Sequence, residues 1–204
     1  MAGLLSNFRN TIILSVILAL VMAFGFGHSP HGFDDAYFSA VFRVMHVFFG
    51  ILWIGLLYYF NFVQIRVMPQ IPAELKPAIS KYIAPEALFW FRWAALATWV
   101  MGVILAYSRG YLGEAATLGL WGGYTPGSDM GFVFIGVGMW LATIMFLNVW
   151  GVIWPNQKRA LGIVVVDDAA KAKAARMAML FSRINTLLSI PMLVCMTMYQ
   201  TLFG

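Results

Sequence analysis

The chain has 204 residues, of which 62% are hydrophobic and only 10% charged, against about 25% charged in an ordinary globular domain; this is the composition of an integral membrane protein. A net charge of +5 does not point to nucleic acid, because such a footprint needs an aqueous domain to carry it and no stretch is long and polar enough to make one. The single cysteine, Cys195, lies in an apolar run, so no intrachain disulfide and no C-x-x-C-H motif are possible, and covalent c-type haem is excluded within this chain.

A transmembrane helix needs about 20 mostly apolar residues, and five stretches qualify: 11–27, 40–64, 86–108, 131–154 and 179–203. The fold class expected is all-α, an integral membrane bundle of five transmembrane helices, with residues 1–204 as one transmembrane domain and no internal repeat. The first stretch follows Arg9 and lacks a clear small-x-small cleavage signal, so it reads as a retained helix, not a leader.

Next comes the loop "HSPHGFDD", with His28, His31, Asp34 and Asp35. Histidines beside carboxylates have the chemistry to hold copper, zinc or iron; the same residues also serve to cap a helix and solvate a loop. The second span, "HVFFGILWIGLLYYFNFVQ", places His46, Gly50, Trp53, Leu57, Asn61 and Gln64 three or four residues apart, and so on one helical face. Polar side chains in hydrocarbon are costly unless partnered, which turns that face into the bundle. His46 is a candidate axial ligand for a haem b, or a hydrogen-bonding partner of a neighbouring helix.

The connection "MPQIPAELKPAISKYIAPEALFW" is punctuated by proline, and Pro85-Glu86 suits a helix start, because proline fits the first turn and a carboxylate the positive end of the helix dipole. In "YLGEAATLGLWGGYTPGSDM" the apolar part is too short to span, so an interfacial half-helix followed by turns is expected. Gly131, Gly136 and Gly138 allow close helix contact in the fourth span. Asp167 or Asp168 caps a helix rich in Ala and Lys that runs into the fifth span and projects from the membrane before entering it.

Lys and Arg collect at one side: Arg9, then Arg66, Lys76 and Lys81, then Lys158, Arg159, Lys171, Lys173 and Arg176. Positive residues mark the cytoplasmic loops, which puts the N-terminus in the cytoplasm and the C-terminus outside. Asn61, Arg92, Asn148, Arg183 and Asn185 then share a depth near the cytoplasmic face. They read either as snorkelling arginines with amides tying helices together, or as a site for a planar or anionic ligand, which guanidinium forks and amides pair well. No Ser-His-Asp set, phosphate loop or paired intramembrane carboxylate is visible, and no catalytic residue is assigned.

The stretches "HVFFGILWIGLLYYFNFVQ", "FWFRWAALATWVMG", "FLNVWGVIWPNQK" and "SRINTLLSIPMLVCM" together resemble the N-terminal membrane domain of the bacterial membrane-bound urate oxidase family. Longer members of that family carry a C-terminal cytochrome c domain, which this sequence lacks. The resemblance implies a bacterial inner-membrane protein, periplasmic at its C-terminus, that passes electrons to a separate cytochrome c. The alternative is a non-catalytic accessory subunit packed in a larger respiratory, photosynthetic or monooxygenase membrane complex. Its surroundings are the lipid bilayer, and nucleic acid is not a partner.

Overall fold

The computed structural model describes residues 2–26, 32–120 and 130–203. Five helices are long and apolar enough to cross a membrane: α1 (Phe8–Gly25), α2 (Asp35–Gln70), α3 (Lys76–Ser108), α5 (Met130–Ala160) and α6 (Asp168–Leu202). A short helix, α4 (Leu112–Ala116), follows α3. The protein is a multi-pass membrane protein.

All the long helices reach further than their apolar runs. Asn7 caps α1 by accepting from the Arg9 N–H at 3.0 Å. Asp34 caps α2 by accepting from the Tyr37 N–H at 2.8 Å, so α2 starts before the apolar stretch does. Asp167 caps α6 by accepting from the Ala170 N–H at 2.7 Å. The 35 residues of α6 span about 52 Å at 1.5 Å per residue, well over the 30 Å or so of hydrocarbon. Its basic first turns project at one end, as the Ala/Lys run implied.

Proline does not stop α3 at its expected start. The helix begins at Lys76, and a π-helical stretch, Ile79–Ile83, precedes Pro85. A second π stretch, Asn148–Ile153, precedes Pro155 in α5. A proline ring clashes with the carbonyl four residues before it, and here those carbonyls belong to Lys81 and Gly151, both inside the widened turns. The wider π turn relieves the clash, and α5 continues to Ala160.

α2 and α3 pack along their length as one antiparallel hairpin, and α5 and α6 as another. Trp53, Leu57, Phe91, Ala95, Met145, Val149 and Ile153 form the core between them, none more than 1% exposed. The hairpins are cross-linked by hydrogen bonds from Tyr58 to Ser189 (3.0 Å) and from Trp99 Nε1 to Thr143 (3.0 Å). The glycines of α5 serve close approach: a Cβ on Gly136 would collide with the Ala115 carbonyl of α4, and one on Gly138 would lie 2.8 Å from Cys195 Cβ. α1 stands apart, with no buried residue; Phe24 meets Phe33 and Tyr37 of the next segment, and the Tyr37 hydroxyl donates to the Ala23 carbonyl.

Candidate functional site

The ends of α2 and α5 and the starts of α3 and α6 meet at one end of the bundle, and the basic residues Arg66, Lys76, Lys81, Lys158, Arg159, Lys171, Lys173 and Arg176 lie there. At this end a cleft of about 510 Å³ is lined by Lys81, Tyr82, Pro85, Glu86, Phe89 and Arg92 of α3 and by Trp154, Leu161 and Ile163 from α5 and the segment after it. That volume suits a small molecule. The guanidinium carbon of Arg92 sits 3.4 Å from the centroid of the Trp154 ring, and Lys158 Nζ lies 5.7 Å from the same ring. Arg92 is 9% exposed and meets no carboxylate or hydrogen-bond acceptor among the described residues. Glu86, on the same wall, instead accepts from Trp90 Nε1 at 3.0 Å. A buried cation normally pairs, and among the described residues Arg92 has the Trp154 ring in place of an acid.

The four residues expected to cluster with Arg92 divide among three places. Asn61 donates to the Leu57 carbonyl (2.9 Å) and to Ser182 (2.8 Å), leaving its Oδ1 buried and unpartnered. Asn148 donates to Asn185 Oδ1 (2.9 Å), and Asn185, fully buried, donates to the Met145 carbonyl (2.9 Å). These amides tie helices together. Arg183 is exposed, because the buried stripe of α6 runs through Ala178, Ser182, Asn185 and Ser189 and the residue after Ser182 is turned well away from it. Arg92 and Arg183 therefore do not converge.

The face of α2 from His46 to Gln64 does look inward. Trp53 and Leu57 are buried, Gly50 faces Thr98, and Gln64 Oε1 is buried without a partner. His46 Nδ1 lies 2.9 Å from the Thr98 carbonyl, and its ring occupies the space a Cβ on Gly102 would need. A carbonyl only accepts, so Nδ1 carries the proton and Nε2 keeps its lone pair, the arrangement of an axial or metal ligand. His46 thus presents the tautomer that a haem ligand needs; His28 and His31, the candidates for a second ligand, lie outside the described residues. Asp34 is committed to its cap and Asp35 sits in the first turn of α2.

Two features were missed in the sequence. Trp154 reads there as an interfacial tryptophan, and only the fold sets it beneath Arg92. At the opposite end, Tyr111 packs against Tyr199 with ring centroids 5.8 Å apart; burial raises the Tyr111 hydroxyl above its usual range, with Tyr199 adding to this and Arg43 and Arg109 opposing it.

Comparison with known proteins bears on the second hairpin. Residues 128–203 match the urate oxidase N-terminal family model. That segment, α5 and α6, is similar to the urate oxidase N-terminal domain. The matched segment holds Asn148, Trp154, Arg183 and Asn185, while His46, Asn61 and Arg92 lie in the first hairpin, outside it. No curated protein and no solved structure matches the chain.

Proposed function

We propose that this urate oxidase-like domain is a membrane redox protein that holds a planar purine anion in the Arg92 cleft and passes its electrons across the bundle to a cytochrome on the opposite side. The observation that carries the reading is Arg92 itself, a buried guanidinium with one face on Trp154, no acid partner, and an edge free to pair with adjacent oxygen and nitrogen acceptors of a ligand. Lys81 adds a second positive charge on the cleft wall. The basic end faces the cytoplasm of a bacterial inner membrane by the positive-inside rule, which leaves the C-terminus periplasmic. The acceptor is a separate cytochrome c or a cytochrome of a larger membrane complex. His46 Nε2 would hold a haem b, which would supply one-electron storage, and the Thr98 carbonyl keeps the imidazole in the tautomer such a ligand needs.

Two measurements on membranes containing the chain test this. Urate added to the wild type is expected to reduce added cytochrome c, and an absence of urate-dependent reduction ends the redox reading. A haem b difference band is expected in the wild type and not in His46→Ala; a wild type without that band removes haem from the account.

A second reading, an accessory subunit in a larger complex, is favoured by α1, whose length carries no buried residue and leaves a flank for another membrane chain. Copurification of large partners, with function of the complex unchanged by Arg92→Ala or Arg183→Ala, would favour it.

A further inference from the structure

The cleft takes one wall from each hairpin, with Arg92 from the first and Trp154 from the second. Arg92, stacked on the indole at 3.4 Å, is buried, whereas Arg183, on α6 and off the cleft wall, is exposed.

On this basis, and resting on the reading that the cleft takes a planar anion, we propose that Trp154 is a positioning residue that turns Arg92 into an edge-on anion fork. The indole covers one face of the guanidinium and fixes its plane. Water is denied that face, so the N–H groups left to a ligand lie in the plane of the fork. A ligand paired there lies parallel to the indole, with Phe89 and Tyr82 lining the same space. The geometry favours flat anions with two adjacent acceptors over compact ones. It also makes recognition depend on both hairpins, since neither alone holds both groups.

The test uses the full chain in phosphatidylcholine nanodiscs, which keep anionic headgroups out of the cleft, with radiolabelled urate as the probe and cytochrome c reduction read in parallel. Trp154→Leu is expected to weaken urate binding about tenfold, the effect of losing one desolvated stacking contact, and to raise KM with kcat little changed. Trp154→Phe should restore binding to within about threefold, and Arg92→Lys should behave like Trp154→Leu because an ammonium neither stacks flat nor forks. Unchanged binding in Trp154→Leu overturns the proposal, as does Trp154→Phe being as defective as Trp154→Leu, which would mark a merely structural role. Wild type that binds urate in a Trp154-dependent way but reduces no cytochrome leaves the positioning role standing and sinks the redox reading alone. Wild type that binds no urate overturns both.

Discussion

Asn185 and Arg183 are two residues apart, yet their substitutions should differ sharply. Asn185 is fully buried and links Asn148 to the Met145 carbonyl, so Asn185→Leu strands a donor and an acceptor and should cost about 1–2 kcal/mol. Arg183 is exposed and makes no hydrogen bond or ion pair among the described residues, and Arg183→Ala should stay within about 0.5 kcal/mol. Thermal unfolding of the purified variants in detergent checks both; equal losses would mean that Arg183 is held by something the fold does not show. The polar inward face of α2 and the depth of Arg92 were legible in the sequence, because spacing along a helix fixes which residues share a face. Which polar residues meet each other was not legible, since that depends on the rotation of each helix against its neighbours. Depth alone groups Arg92 with Arg183; rotation separates them.

The number of spans followed from hydropathy, and the caps at Asp34 and Asp167 from ordinary helix-start chemistry. The helix ends did not follow. Pro85 reads as a helix start, but a π turn before it lets the helix run through, as another does before Pro155, and nothing local in the sequence announces a widened turn. The interfacial half-helix appears as Leu112–Ala116, with the chain then reversing through Leu118 and Gly119 at positive φ; the Gly-Gly and Thr-Pro-Gly turns expected after it lie outside the described residues. α4 packs so closely on α5 that Gly136 cannot carry a side chain without displacing the backbone at Ala115. Gly136→Ala should therefore destabilise the protein by about 1–3 kcal/mol, while Gly151→Ala, which meets nothing within 4 Å, should not. Melting temperatures of the two variants separate them, and a stable Gly136→Ala would mean α4 is free to lift.

The whole molecule is two hairpins facing each other, with a cleft where their basic ends meet and one helix, α1, outside. The space between packed helices is where irregular or polar groups find shelter from lipid. Two arginines, one on the cleft wall and one off it, separate the proposed purine-anion site from its surroundings most directly. Urate-dependent reduction of cytochrome c is measured on membranes with matched amounts of wild type, Arg92→Gln and Arg183→Gln. Arg92→Gln is expected to lose about a hundredfold in kcat/KM, the order expected when a charged, desolvated hydrogen-bonding group is removed from a bound anion, and Arg183→Gln to retain wild-type rates. Equal activity in all three, or a loss confined to Arg183→Gln, would contradict it.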